Sequence, residues 1–214
     1  MLFVELRFFA FFAIVFGLTW ALRSNEWRKR VLLASSYFFY GIWDWRFLGL
    51  IFLITVISHI VGSAATREDP RQRKIALSLG VIASLCVLGL FKYFNFFTDS
   101  FAQLAGVIGL PAGQVTLNLV LPVGISFYTF QAISYMVDVH RNDIAVKRSF
   151  LDVAFYIAFF PQLVAGPIVR ASDFIPQMDK LRRWADVPVR ACLTLFLIGF
   201  IKKAGVSDLS LIHI

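Results

Sequence analysis

The chain is poor in most of what soluble enzymes and secreted scaffolds are built from. Among its 214 residues only two are cysteine, three are histidine and thirteen are acidic. Cys86 and Cys192 each fall within an apolar run, which excludes a disulfide framework or a thiolate metal site and reads as two small buried hydrophobes. The histidines stand apart from one another and no metal is expected. Only 16% of residues are charged, too few to solvate a soluble surface, whereas 59% are apolar and the mean hydropathy is +0.75. That balance implies an all-α, polytopic helical membrane protein. A net charge of +8 could signal nucleic acid. The lysines and arginines, however, sit in short loops between apolar runs, as cytoplasmic loops do, and no nucleic acid is expected. Internal repeats, low-complexity tracts and soluble-domain boundaries are also missing. The amino-terminal segment lacks a basic n-region and a small-residue cleavage site, so it reads as a retained span.

About six to seven hydrophobic segments follow in order. Residues 8–22 form a short first span, and the basic loop 23–30 should be cytoplasmic. Residues 31–43 are a second, aromatic-rich run of only 13 residues, ending in an interfacial turn with Trp43 and Trp45 at headgroup level. Residues 47–65 span comfortably. Their His59, among small polar residues, reads as an interhelical hydrogen-bonding group ahead of a chemical one. Residues 75–91 span outward, and Lys92 snorkels within an aromatic belt. Residues 101–114 read as a short surface or re-entrant helix before a turn, and 170–190 as a cytoplasmic surface loop.

Two stretches depart from plain spans. The first is the apolar run 117–139, long enough to cross a bilayer. At about 100° per residue, Gly124, Tyr128, Gln131, Tyr135 and Asp138 fall on one face, in steps of four, three, four and three. A polar stripe in hydrocarbon must face protein or water. It either lines a cavity or bonds neighbouring helices. The second stretch is 150–169, where 11 residues precede Pro161, followed by Gly166 and Pro167. That leaves half a bilayer of helix before the break. The loops on both sides are basic, so a broken or re-entrant helix is expected, covered by protein or lining a chamber.

Four segments carry a family resemblance: ASSYFFYGIWDWR at 34–46, FKYFNFF at 91–97, LPVGISFYTFQ at 121–131 and FFPQLVAGPIVR at 159–170. In this order, over roughly residues 30–208, the chain resembles the membrane-bound O-acyltransferases, most closely the bacterial branch that acetylates exported polysaccharides such as alginate. The resemblance implies part of a ring of short, broken and re-entrant membrane helices around a funnel, in a bacterial cytoplasmic membrane. It further implies that an acetyl group passes from a cytoplasmic donor such as acetyl-CoA, used as substrate with no bound cofactor. The acceptor would be an exported polysaccharide or an extracytoplasmic acetyltransferase partner. Asn95, Ser126, Tyr128, Gln131, Gln162 and Gly166 are the funnel-lining candidates on that basis.

The family's histidine, a general base or acyl relay, is expected beyond Asp208. Neither His59 nor His140 matches it, the latter position being commonly tyrosine. No residue here is assigned a catalytic role. Residues 209–214, LSLIHI, read as translation of a sequencing adapter, with 1–208 as the amino-terminal part of one membrane domain that alone would be inactive. A polytopic transporter would show the same broken helix and polar stripe, and a non-catalytic membrane scaffold would show an aromatic-rich core without a catalytic histidine.

Overall fold

A computed structural model describes residues 5–107, 122–146, 149–163, 166, 168–180, 183–202 and 205. All regular structure among them is helical. In order come α1 (Leu6–Ala21), α2 (Asn25–Asp44), a 3-10 turn (Trp45–Phe47), α3 (Leu48–Ala64) and α4 (Pro70–Val107). They are followed by α5 (Ile125–His140), α6 (Phe150–Ala158), α7 (Phe160–Leu163), α8 (Ala171–Met178), a second 3-10 turn (Trp184–Asp186) and α9 (Val189–Ile201). The chain divides into two compact units, one made of residues up to Val31 with those from Asp179 on, the other of Leu32–Met178.

In the larger unit the helix ends follow from local chemistry. Asp44 turns extended (φ −163°), and its carboxylate accepts from the Arg46 N–H at 3.0 Å and from Arg46 Nε at 2.9 Å, which separates α2 from α3. Pro70 opens α4 where its missing N–H costs nothing, and Asp69 accepts from the Arg71 N–H at 2.9 Å. Gly124 precedes α5 in the left-handed conformation (φ 77°). Asn142 (φ 62°) ends it in a Schellman arrangement, with Asp143 N–H donating to the Asp138 carbonyl at 2.9 Å and Asn142 N–H to that of Val139 at 3.1 Å. Arg73 of α4 donates to the His140 carbonyl at 3.1 Å, a cation against the carboxyl end of α5. A side chain at Gly124 meets the left-handed penalty directly. Gly124→Ala should cost about 1–2 kcal/mol, read as a lowered unfolding midpoint in detergent; an unchanged midpoint would refute that constraint.

The core gathers Ile51 and Ile54 of α3, Tyr128, Ala132, Tyr135 and Met136 of α5, and Tyr156 and Ile157 of α6. Glycines set the closest approaches. A methyl at Gly80 would stand 2.4 Å from Val61 Cγ2 and 3.0 Å from Met136 Sδ, and one at Gly62 would stand 2.9 Å from the Tyr135 hydroxyl. Outside this core, long helical stretches present apolar side chains outward. Ile75, Leu79, Ile82, Leu85, Phe96 and Phe97 of α4 are all exposed. Among the described residues, Asn25–Ala64 and Pro70–Phe94 are the two stretches of helix long and apolar enough to cross a membrane. A helix apolar on its outer face has hydrocarbon as its solvent.

In the smaller unit, Phe9 of α1 packs edge-on against Phe196 and Phe200 of α9, and Trp20 against Trp184 at 5.1 Å. Lys29, only 4% exposed, lies 3.3 Å from Glu26 and 3.4 Å from Asp179.

Several expectations change. The basic stretch 23–30 is mostly not a loop. Helix begins at Asn25 and carries Arg28, Lys29 and Arg30 into α2, because these long side chains are good helix formers. The span of residues 75–91 does not stop there. α4 runs on to Val107, since 90–105 contains no glycine or proline to end it, which replaces the separate helix expected from 101; residues 108–114 lie outside the described residues. The segment 170–190 holds α8, with Ala171, Ile175 and Met178 buried at helical spacing. Cys86 and Cys192 are exposed on apolar outer faces. The tail 209–214 lies outside the described residues.

Candidate functional site

The polar stripe of α5 turns inward. Tyr128, Gln131, Tyr135 and Asp138 are all buried, with Gln131 only 2% exposed. Gly124 belongs to the cap and not to the helical face, although its carbonyl still accepts from the Tyr128 N–H at 3.1 Å.

Opposite the stripe the chain breaks. Pro161 has no N–H for the Ile157 carbonyl, and α6 stops at Ala158. Phe159 turns out of helical geometry (ψ 110°), and α7 begins at Phe160. The break therefore falls two residues ahead of the proline. Its polar groups are met by side chains. Gln131 Nε2 donates to the Tyr156 carbonyl at 2.7 Å and to Gln162 Oε1 at 2.9 Å. The Phe160 N–H donates to Ser36 Oγ of α2 at 3.1 Å, while the Ser36 hydroxyl donates to the Leu32 carbonyl at 2.7 Å. The Tyr156 hydroxyl reaches across to the Val169 carbonyl at 2.8 Å. Gly166 N–H donates to the Gln162 carbonyl at 3.1 Å, and a methyl on Gly166 would lie 2.4 Å from Gln162 Cα, so only glycine fits.

Around this centre, the Tyr40 hydroxyl donates to the Val123 carbonyl at 2.8 Å, and its ring meets Tyr128 edge-on at 6.4 Å. At the other end of the stripe, Asp138 accepts a long bond, 3.4 Å, from the Ser172 N–H in the first turn of α8.

Of the six candidates, Gln131, Gln162 and Gly166 come together in one bonded group, and Tyr128 adjoins it along α5. Ser126 is half-buried in the first turn of α5, with no hydrogen bond to that group among the described residues. Asn95 lies on α4, and its side chain lies outside the described residues. Ser36, Tyr40 and Tyr156 are part of the arrangement without having been singled out. Tyr40 and Ser36 lie in the first of the four resembling segments, the only signal that pointed to them. His59 lies apart, its ring edge-on to Phe150 at 5.5 Å. Among the described residues no group of three His, Cys, Asp or Glu could hold a metal ion.

No protein-family model and no solved structure matches the chain. Curated proteins do. A protein of Azotobacter vinelandii named "Probable alginate O-acetylase AlgI" is 40% identical over 94% of this chain and 40% of its own length. One of the same name from Pseudomonas aeruginosa is 38% identical over 94% of this chain and 38% of its own. The "Peptidoglycan O-acetyltransferase" of Helicobacter pylori is 31% identical over 84% of this chain and 38% of its own. The chain thus spans about two fifths of the length of the curated relatives it matches. Identity at this level across nearly all of its residues, with an apolar helical exterior, places the chain in the family of the AlgI-type O-acetylases, the membrane-bound O-acyltransferases.

Proposed function

We propose that the chain forms part of a multi-pass O-acyltransferase of a bacterial cytoplasmic membrane. It would move an acetyl group from a cytoplasmic thioester donor such as acetyl-CoA toward an exported polysaccharide or its extracytoplasmic acetylation partner. In the net reaction the acetyl carbonyl carbon leaves the donor sulfur for a hydroxyl oxygen, whose proton goes to a base. No residue of this chain is assigned as that base. Tyr128, Gln131, Gln162 and Gly166 would shape the passage, and Ser126 and Asn95 are its further candidates.

The observation that carries this reading is the hydrogen-bonded group of Gln131, Gln162 and the Tyr156 carbonyl at a helix break, in a chain that resembles acetylases over 94% of its length. Non-helical backbone at membrane depth occurs where protein or a cavity covers it. The test is a chimera in which residues 1–208 replace the homologous segment of the Azotobacter vinelandii relative. Exported alginate should carry acetyl esters. A chimera that inserts normally, with export intact and no esters formed, would overturn the reading.

A further inference from the structure

An uninterrupted helix through residues 156–160 would pair the Phe160 N–H with the Tyr156 carbonyl. Here both groups are buried and both are bonded, but not to each other. The N–H goes to Ser36 Oγ at 3.1 Å and the carbonyl to Gln131 Nε2 at 2.7 Å. One backbone hydrogen bond is thus exchanged for two from side chains on separate helices, α2 and α5. The exchange matters because the proline alone does not demand it. Pro161 removes the partner of the Ile157 carbonyl, one residue further on, and a merely kinked helix would keep the 160-to-156 bond.

Ser36 is suited to the task. Its hydroxyl proton is already committed to the Leu32 carbonyl at 2.7 Å, which leaves an oxygen lone pair for the Phe160 amide. Gln131 carries two amide protons, and both find acceptors, the Tyr156 carbonyl and Gln162 Oε1. Ring contacts of Phe39 with Phe160 at 5.6 Å hold α2 and α7 in place.

We propose that Ser36 and Gln131 are positioning residues, a two-sided clamp that holds the α6–α7 break against reversion to a kinked continuous helix and thereby sets Gln162. The clamp stands on geometry alone; its value to acetyl transfer rests on the acyltransferase reading above.

Amide hydrogen exchange at Phe160, measured on the full chain in nanodiscs, tests it. In the unsubstituted chain the Phe160 amide should be protected although it heads a helix of four residues; exchange at the free-amide rate would overturn the clamp without any variant. Ser36→Cys keeps the volume but offers a poor acceptor, and it should speed exchange at Phe160 about tenfold. Ser84→Ala removes another buried hydroxyl, one that donates to the Gly80 carbonyl of its own helix at 2.8 Å, and should leave Phe160 unchanged. Equal protection in the chain and in Ser36→Cys would overturn the clamp. In the chimera, Ser36→Cys should lower acetylation. Full acetylation with faster exchange would overturn the positioning role. An unacetylated parent chimera would count against the acyltransferase reading alone, with the exchange result still deciding the clamp.

Discussion

Gln131→Leu should destabilise the larger unit by about 2–4 kcal/mol and strip acetylation from the chimera. Leucine fits the space but donates nothing. The Tyr156 carbonyl, which now accepts at 2.7 Å, would be left unpaired inside the core, and Gln162 would lose its 2.9 Å partner. A buried polar group without a partner costs about 1–3 kcal/mol, and the half-buried Gln162 side chain loses its bond besides. Water cannot repair the loss where the side chain it would replace is only 2% exposed. Gln131→Glu should be worse than leucine, since an ionised carboxylate would face two acceptors. Denaturant titration in mixed micelles measures both. A leucine variant within about 0.5 kcal/mol of the parent would mean that the bonds carry no net weight, as some interhelical bonds in membrane proteins do.

Gly80→Ala is the second large effect, and it comes from shape alone. The added methyl would lie 2.4 Å from Val61 Cγ2, with Met136 Sδ behind it at 3.0 Å. Val61 is β-branched and packed in α3, so it has no rotamer to retreat into. α3 and α4 must then separate, at a cost of about 3 kcal/mol. Gly89, nine residues further along α4, has nothing within 4 Å of the same methyl. Gly89→Ala should be neutral or stabilise by up to about 1 kcal/mol through helix propensity. The contrast between two glycines on one helix isolates packing from propensity. Equal shifts in unfolding free energy for both variants would refute the close approach.

The inward face of α5 was legible because its polar groups recur at helical spacing within an apolar run, and hydrocarbon leaves such a stripe one place to point. Pro161 announced the break in the same way, by removing an N–H. What stayed hidden depends on partners far along the chain. Ser36 looks like any serine bonded to its own helix. Its second role exists only because the Phe160 amide, 124 residues on, arrives beside it. The length of α4 was missed because the aromatic cluster 91–97 resembles an interfacial belt, yet aromatic residues do not stop a helix, and nothing there does. α8 was missed because its charged neighbours, Asp173 and Lys180, masked three apolar residues at helical spacing. Cys86 and Cys192 were misplaced because an apolar neighbourhood in sequence does not tell a core-facing position from a lipid-facing one.

The hydroxyls of this chain also bear on how it is made. Thr19, Ser36, Thr55, Ser58, Ser84 and Thr194 each donate to the carbonyl four residues back, within their own helices. A helix carrying such groups leaves the translocation machinery with those groups satisfied and can partition into lipid singly. Gln131 is bonded differently in the folded chain. Its acceptors lie on the next hydrophobic segment, 25 and 31 residues later. Until that segment emerges, the Gln131 amide lacks both partners it has in the folded chain. The expected order of assembly is therefore that α5 gains these bonds only with α6 and α7, which a crosslinking assay on truncated nascent chains would check.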